Sequence, residues 1–137
     1  MSIKSKQNSL TGFKIIIMDD DYDVRELFQL NLERLGCETI LACNGNEVIN
    51  LYDQAMKSGD KIDAIIMDLT IPGSMGGVEL SEKLHSLNSN IKMIVSSGYS
   101  DAPEMVEFKK YGFDGAIDKI FDREVIEKVL KQVLLSE

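Results

Sequence analysis

The sequence is poor in the residues that hold soft metals or cross-link a chain. It has two cysteines, Cys37 and Cys43, and one histidine, His85. The cysteines lack a CxxC spacing, and a structural zinc site needs about four ligands of this kind, so no zinc centre can be assembled. Two isolated thiols read as small hydrophobes of a reducing compartment, and a cytoplasmic location is the expectation. Basic runs are missing as well. No five consecutive Lys or Arg residues occur and the net charge is −8, so nucleic acid and anionic membrane surfaces are repelled rather than bound directly. No apolar run exceeds five residues, which is too short to span a bilayer, and no signal-peptide pattern opens the chain.

What is present is a chain of 137 residues, 44% hydrophobic and 28% charged, the composition of one soluble globular domain. Residues 1–12 are polar without an apolar period and read as a tail or linker end, leaving 13–135 as the domain. Short apolar runs then alternate with segments of helical period. The runs are Lys14–Met18, Glu38–Ala42, Ala64–Met67, Lys92–Ser96 and Gly115–Ile117. Their density of Ile, Val and Met is that of strands buried on both faces. The helical segments are Asp23–Leu35, Asn46–Lys57, Val78–Leu87, Asp101–Tyr111 and Asp122–Leu134. In the first, Val24, Leu27, Phe28, Leu32 and Leu35 share a stripe, and Gly36 follows as a cap. In the fourth, Asp101 and Glu104 have the spacing of a capping box. Five strand–helix alternations predict a doubly wound α/β domain, a three-layer (βα)5 sandwich around a parallel sheet.

Ligands of such sheets gather outside the carboxyl ends of the strands. There the sequence places Asp19, Asp20 and Asp21 after the first strand and Asp68 with Thr70 after the third. Ser96 and Ser97 follow from the fourth, and Asp118 and Lys119 from the fifth. Carboxylates held together repel unless a cation neutralises them. A donor set of oxygen alone suits Mg²⁺ or Mn²⁺, and magnesium takes its remaining ligands from water and phosphate. Asp68 can then act as a nucleophile toward a phosphoryl group, with Lys119 and Ser96 steadying the phosphoryl oxygens. A solvated acidic loop explains Asp19–Asp23 taken alone, but not their convergence with Asp68. An EF-hand does not fit either, because Val24 and Leu30 stand where its glycine and glutamate belong. His85 reads as a polar residue of an exposed helical stripe, and Met67, Met75 and Met93 as packing residues.

Four stretches together resemble the response-regulator receiver family over residues 13–135: residues 15–21 (IIIMDDD), 65–73 (IIMDLTIPG), 94–98 (IVSSG) and the pair Asp118–Lys119. The resemblance implies a flavodoxin-like strand order 2-1-3-4-5. It also implies phosphorelay signalling, with Asp68 as acceptor of a phosphoryl group from a phosphohistidine and a conformational switch afterwards. Asp20 resembles the direct Mg²⁺ ligand, Asp19 the one acting through water, and the Thr70 carbonyl a further ligand. Ser96 matches the switch hydroxyl and Lys119 the lysine of the family pattern. Partners implied are a histidine kinase or phosphotransfer protein, with helix 4, strand 5 and helix 5 as the output face and as the face of a homodimer.

The sequence departs from the family in three places. Ile120 follows Lys119 where proline is usual, Ala116 occupies the position of the switch aromatic, and the loop Gly73–Gly77 is one residue longer. That loop, residues 96–103 and Thr11-Gly12 look most like receivers of hybrid sensor histidine kinases. Two other readings stand beside the receiver. One is a haloacid-dehalogenase-like phosphatase with Asp19 as nucleophile and Asp21 as general acid, which lacks the further acidic pair after the lysine. The other is a pseudo-receiver that binds partners without phosphorylation.

Overall fold

The computed structural model describes residues 9–69, 75–99, 101–119 and 122–135. Five strands alternate with five helices: β1 (Lys14–Met18), α1 (Tyr22–Arg34), β2 (Glu38–Ala42), α2 (Gly45–Ser58), β3 (Ala64–Asp68), α3 (Gly77–Leu87), β4 (Met93–Ser97), α4 (Pro103–Val106), β5 (Gly115–Asp118) and α5 (Arg123–Leu135). All strand pairs are parallel, in the order β2-β1-β3-β4-β5. This is the flavodoxin-like order expected above.

The period-2 geometry of the strands divides the core into two layers. Ile16, Met18, Ile65, Met67, Met93 and Val95 face Val48 and Tyr52 of α2, Leu80 and Leu84 of α3, and Met105 of α4. Ile15, Ile17, Ala64, Ile66 and Ile94 face Phe28 and Leu32 of α1 with Ile126 and Leu130 of α5. Every residue of β3 and β4 is buried, which is why these strands carry unbroken apolar runs. β2, at the sheet edge, is buried only at Ala42.

Local chemistry sets the ends of α1. Asp21 caps its N-terminus, its Oδ1 accepting from the amides of Asp23 (2.9 Å) and Val24 (3.3 Å). Its C-terminus closes with Gly36 at φ 97°, the Cys37 amide donating to the Leu32 carbonyl and the Gly36 amide to that of Glu33. That pair of bonds is a Schellman motif, and only glycine takes this backbone region without strain.

Four expectations are corrected. Leu10, placed with the tail, is fully buried in the α1–α5 layer and its amide donates to the Leu35 carbonyl at 3.0 Å. Leu27, placed on the buried stripe of α1, is 41% exposed, while Asn31 is buried. His85, read as exposed, is partly buried. The fourth helix is not continuous over 101–111. It runs from Pro103 to Val106, breaks at Glu107 and resumes as a 3-10 turn over Phe108–Tyr111. The predicted capping box does not form, because proline pushes the residue before it out of the helical region. Ala102, at φ −59° and ψ 140°, is therefore the cap, with no side-chain bond.

Candidate functional site

The register of the sheet brings the chemistry to one rim. Met18 pairs with Met67, Asp68 with Ser96, and Ser97 with Asp118. The carboxyl ends of β1, β3, β4 and β5 therefore stop at nearly the same level. The main chain is pinned there: the Asp19 amide donates to the Ala42 carbonyl (3.1 Å), Leu69 to Ser96 (2.9 Å) and Lys119 to Ser97 (3.1 Å).

Three of the four expected metal ligands come together. Asp19, Asp20 and Asp68 each offer a carboxylate oxygen, and the three oxygens lie within 4.8 Å of one another. Asp19 and Asp68 are buried, whereas Asp20 is exposed at the mouth. Thr70, the fourth, lies outside the described residues, as does Ile120. Lys119 bridges the buried pair, its Nζ 2.7 Å from Asp19 Oδ2 and 3.2 Å from Asp68 Oδ1. Burial pulls the Lys119 ammonium toward a lower pKa, but its bond to Asp19 and the charges of Asp68 and Asp19 outweigh that and raise it above the ordinary lysine value.

Both oxygens of Asp19 are engaged. Oδ1 accepts from the Asp21 amide at 3.0 Å, and Oδ2 holds Lys119. Apart from that ion pair, Asp19 Oδ2 has no donor among the described residues. Ser96 Oγ, opposite Asp68, is buried and has no hydrogen-bond partner among the described residues either. Asp21 is spent on the cap of α1. Three carboxylates against one ammonium leave two negative charges in direct proximity. The donors are oxygen only. Hence the residues present fit a hard divalent cation, and a magnesium ion in particular.

One participant was not read from the sequence. Arg25 Nη1 donates to the Asp19 carbonyl at 2.7 Å, and the guanidinium lies over the Tyr22 ring at 5.7 Å from its centroid. A side chain bound to a main-chain carbonyl has no sequence signature of its own.

A doubly wound parallel sheet with acids, a serine and a lysine at the carboxyl rim defines a phosphoryl-handling α/β module. The chain belongs to the response regulator receiver domain family, whose model matches residues 15–131, and it is a receiver domain of two-component phosphorelay signalling. It is similar to sporulation initiation phosphotransferase F of Bacillus subtilis, 28% identical over 88% of this chain and 93% of that protein. It is also similar to the transcriptional regulatory protein ComA of the same organism, 31% identical over 90% of this chain and 57% of that protein. The chain spans about half the length of most of the transcriptional regulators it matches. Among solved structures, the chemotaxis response regulator CheY4 of Vibrio cholerae superposes with a TM-score of 0.74, at 25% identity over 90% of this chain and 100% of that one.

Receivers are signalling domains that bind Mg²⁺ in an acidic pocket and interact with histidine kinases and phosphotransfer proteins, and the acidic cluster here is of that kind. Among the described residues no helix is long and apolar enough to cross a membrane. The likeness to hybrid-kinase receivers draws on Gly73, Ser74 and Ser100, which lie outside the described residues.

Proposed function

We propose that Asp68 is the phosphoacceptor, taking a phosphoryl group from a phosphohistidine on a histidine kinase or phosphotransfer protein. The observation that carries this reading is Lys119 Nζ seated between Asp19 and Asp68, with Asp20 completing the cluster. One Asp68 oxygen bonds to phosphorus as the P–N bond of the donor breaks and its electron pair returns to the imidazole. Lys119 and the Ser96 hydroxyl supply positive charge and a hydrogen bond to the phosphoryl oxygens. Asp19, Asp20, Asp68 and the Thr70 carbonyl would hold Mg²⁺, which supplies charge neutralisation at the same oxygens. Besides accepting the group from a phosphohistidine, this reading gives the chain at most phosphorylation by small donors and hydrolysis of its own acyl phosphate. The face of α4, β5 and α5 is the output surface, and the exposed Val106 and Val125 support that placement.

The phosphatase alternative is less well served, since Asp19 Oδ1 is held by the Asp21 amide and Asp21, its general acid, is engaged as the cap of α1. The test is incubation with acetyl phosphate and MgCl2 followed by intact-mass measurement. The expected result is a gain of about 80 Da that hydroxylamine removes, as for an acyl phosphate. It is lost in Asp68→Asn and kept, more slowly formed, in Asp19→Asn. An adduct that survives Asp68→Asn, or steady phosphatase turnover that depends on Asp19, would overturn the assignment. No adduct on the wild-type protein would favour the pseudo-receiver.

A further inference from the structure

We infer that Arg25 is a positioning residue for the divalent cation, acting through the backbone of the acidic loop against its own charge. The inference rests on the metal site proposed above and concerns which residue outside the ligand set shapes it.

The loop after β1 has two acids with opposite surroundings. Asp19 is buried and anchored at both ends, by its amide on the Ala42 carbonyl and by its carboxylate on Lys119 and the Asp21 amide. Asp20 is exposed, and no hydrogen bond of its carboxylate to a described residue is seen. The direction of the Asp20 side chain is therefore fixed mainly by the peptide that joins it to Asp19. The oxygen of that peptide is the atom Arg25 Nη1 grips at 2.7 Å.

Arg25 is itself held in place. Its amide donates to the Asp21 carbonyl at 3.0 Å in the first turn of α1, and its guanidinium lies over the Tyr22 ring, 5.7 Å from the centroid. Side chain and main chain of one residue thus clamp the loop on both sides of Asp20. A hydrogen bond from a charged donor to a partly buried carbonyl is among the stronger ones available, and planar guanidinium is suited to hold it while stacked.

The two roles open to a cation here predict opposite signs. As a nearby positive charge, Arg25 repels a divalent ion, and its removal would tighten binding. As a clamp, it holds Asp20 in a ligating direction, and its removal loosens binding. Ligand positioning commonly costs metal affinity tenfold or more when it is lost. Set against the electrostatic relief, the net expected effect is about threefold to tenfold weaker binding.

The test is Mg²⁺ affinity, measured by calorimetric titration of the metal-free full chain with MgCl2, and checked with Mn²⁺ by electron paramagnetic resonance. Arg25→Gln, which removes both charge and reach, is expected to raise the dissociation constant about threefold to tenfold. Arg25→Lys keeps the charge and one donor and is expected to stay within about twofold of wild type. Tyr22→Ala, which removes the stacking surface, should fall between them. Tighter or unchanged binding by Arg25→Gln overturns the inference, even if that variant melts at a lower temperature without metal, because a purely structural role would move stability and leave the affinity alone. Asp20→Asn provides the separate control on the site. If it binds Mg²⁺ like wild type, the ligand assignment fails and the clamp has nothing to position.

Discussion

Replacing Lys119 with methionine tests the electrostatics of the rim without touching an acid. The ammonium lies 2.7 Å from Asp19 and 3.2 Å from Asp68, two carboxylates with 2% and 9% of their side chains exposed. Removing one partner of a buried ion pair costs about 3–5 kcal/mol, mainly because the other charge stays buried without compensation. Lys119 keeps 17% of its own side chain in solvent. Screening and the apolar burial of methionine therefore reduce the expected loss to about 2–3 kcal/mol. In a domain of this size that is a fall of roughly 6–10 °C in melting temperature.

The assay is urea unfolding at pH 7 in EDTA, repeated across alkaline pH. The folded-state pKa of Lys119 lies above the ordinary lysine value. Its stabilising contribution is therefore complete below the unfolded value of about 10.4 and is lost as pH rises through the folded one. The gap between wild type and Lys119→Met should stay constant from neutral pH to about 10 and close above that. Mg²⁺ at ten times its dissociation constant should return about 1.4 kcal/mol to the variant, because it binds only the folded site. A gap below about 0.5 kcal/mol at pH 7, the scatter of an ordinary surface substitution, would refute the reasoning. So would a gap that persists beyond the titration of the lysine.

Two further outcomes follow from local geometry. Burial and the nearby charge of Asp63 push the Cys37 thiol up to about 11, so at pH 8 only about one molecule in a thousand carries its thiolate. A chromogenic disulfide reagent should therefore titrate one thiol quickly, the exposed Cys43, and the second only on unfolding; rapid labelling of both would show that Cys37 is not buried as described. Gly36→Ala should cost about 2–4 kcal/mol, since Gly36 sits at φ 97° and an added Cβ would lie 2.6 Å from Thr11 Oγ1 and 2.9 Å from Thr11 Cα. Gly59→Ala, with φ 82° but nothing within 4 Å, should cost only about 1–2 kcal/mol; equal losses at the two positions would refute the steric argument.

The parts of this molecule that were legible in the sequence are those where one physical rule acts alone. β3 and β4 are buried on both faces, so Ala64–Met67 and Met93–Val95 had to be apolar throughout. Parallel strands in register end together, so the sequence alone places Asp19, Asp68, Ser96 and Lys119 on one rim. The rest was hidden where two rules compete. Asp101 and Glu104 had the spacing of a cap, but Pro103 denies Ala102 the helical region and moves the start of α4. Asn31 interrupts an apolar stripe and looks like a surface residue. It is buried because its Nδ2 donates to the Leu27 carbonyl at 2.8 Å and its Oδ1 accepts from Arg123 Nε at 3.1 Å, joining α1 to the start of α5. Partners 92 positions apart leave no periodic trace.

The departure at β5, Ala116, bears differently on the chemistry and on its transmission. The acceptor site does not involve Ala116, whose strand neighbour is Val95 rather than Ser96. On the proposed function, transfer to Asp68 therefore draws on the carboxylates, Lys119 and Ser96, and not on position 116. Transmission has a narrower set of parts. Exchanging a carboxylate for an acyl phosphate adds negative charge and acceptor oxygens, and only groups able to donate can respond to it. Lys119 is already committed to Asp19 and Asp68. Ser96 Oγ is buried without a partner among the described residues, while its carbonyl stays pinned by the Leu69 amide. The hydroxyl can turn while the main chain of the strand keeps its hydrogen bonds. Beyond Ser96 lies α4, a single helical turn of Pro103–Val106 and a 3-10 turn that meet at Glu107. Such an element has few backbone hydrogen bonds to lose and is cheap to rearrange compared with β4. With a methyl group at Ala116, there is no aromatic ring on β5 to gate that movement. On the proposed function, Ser96 would pass the conformational signal toward α4, which packs against β4.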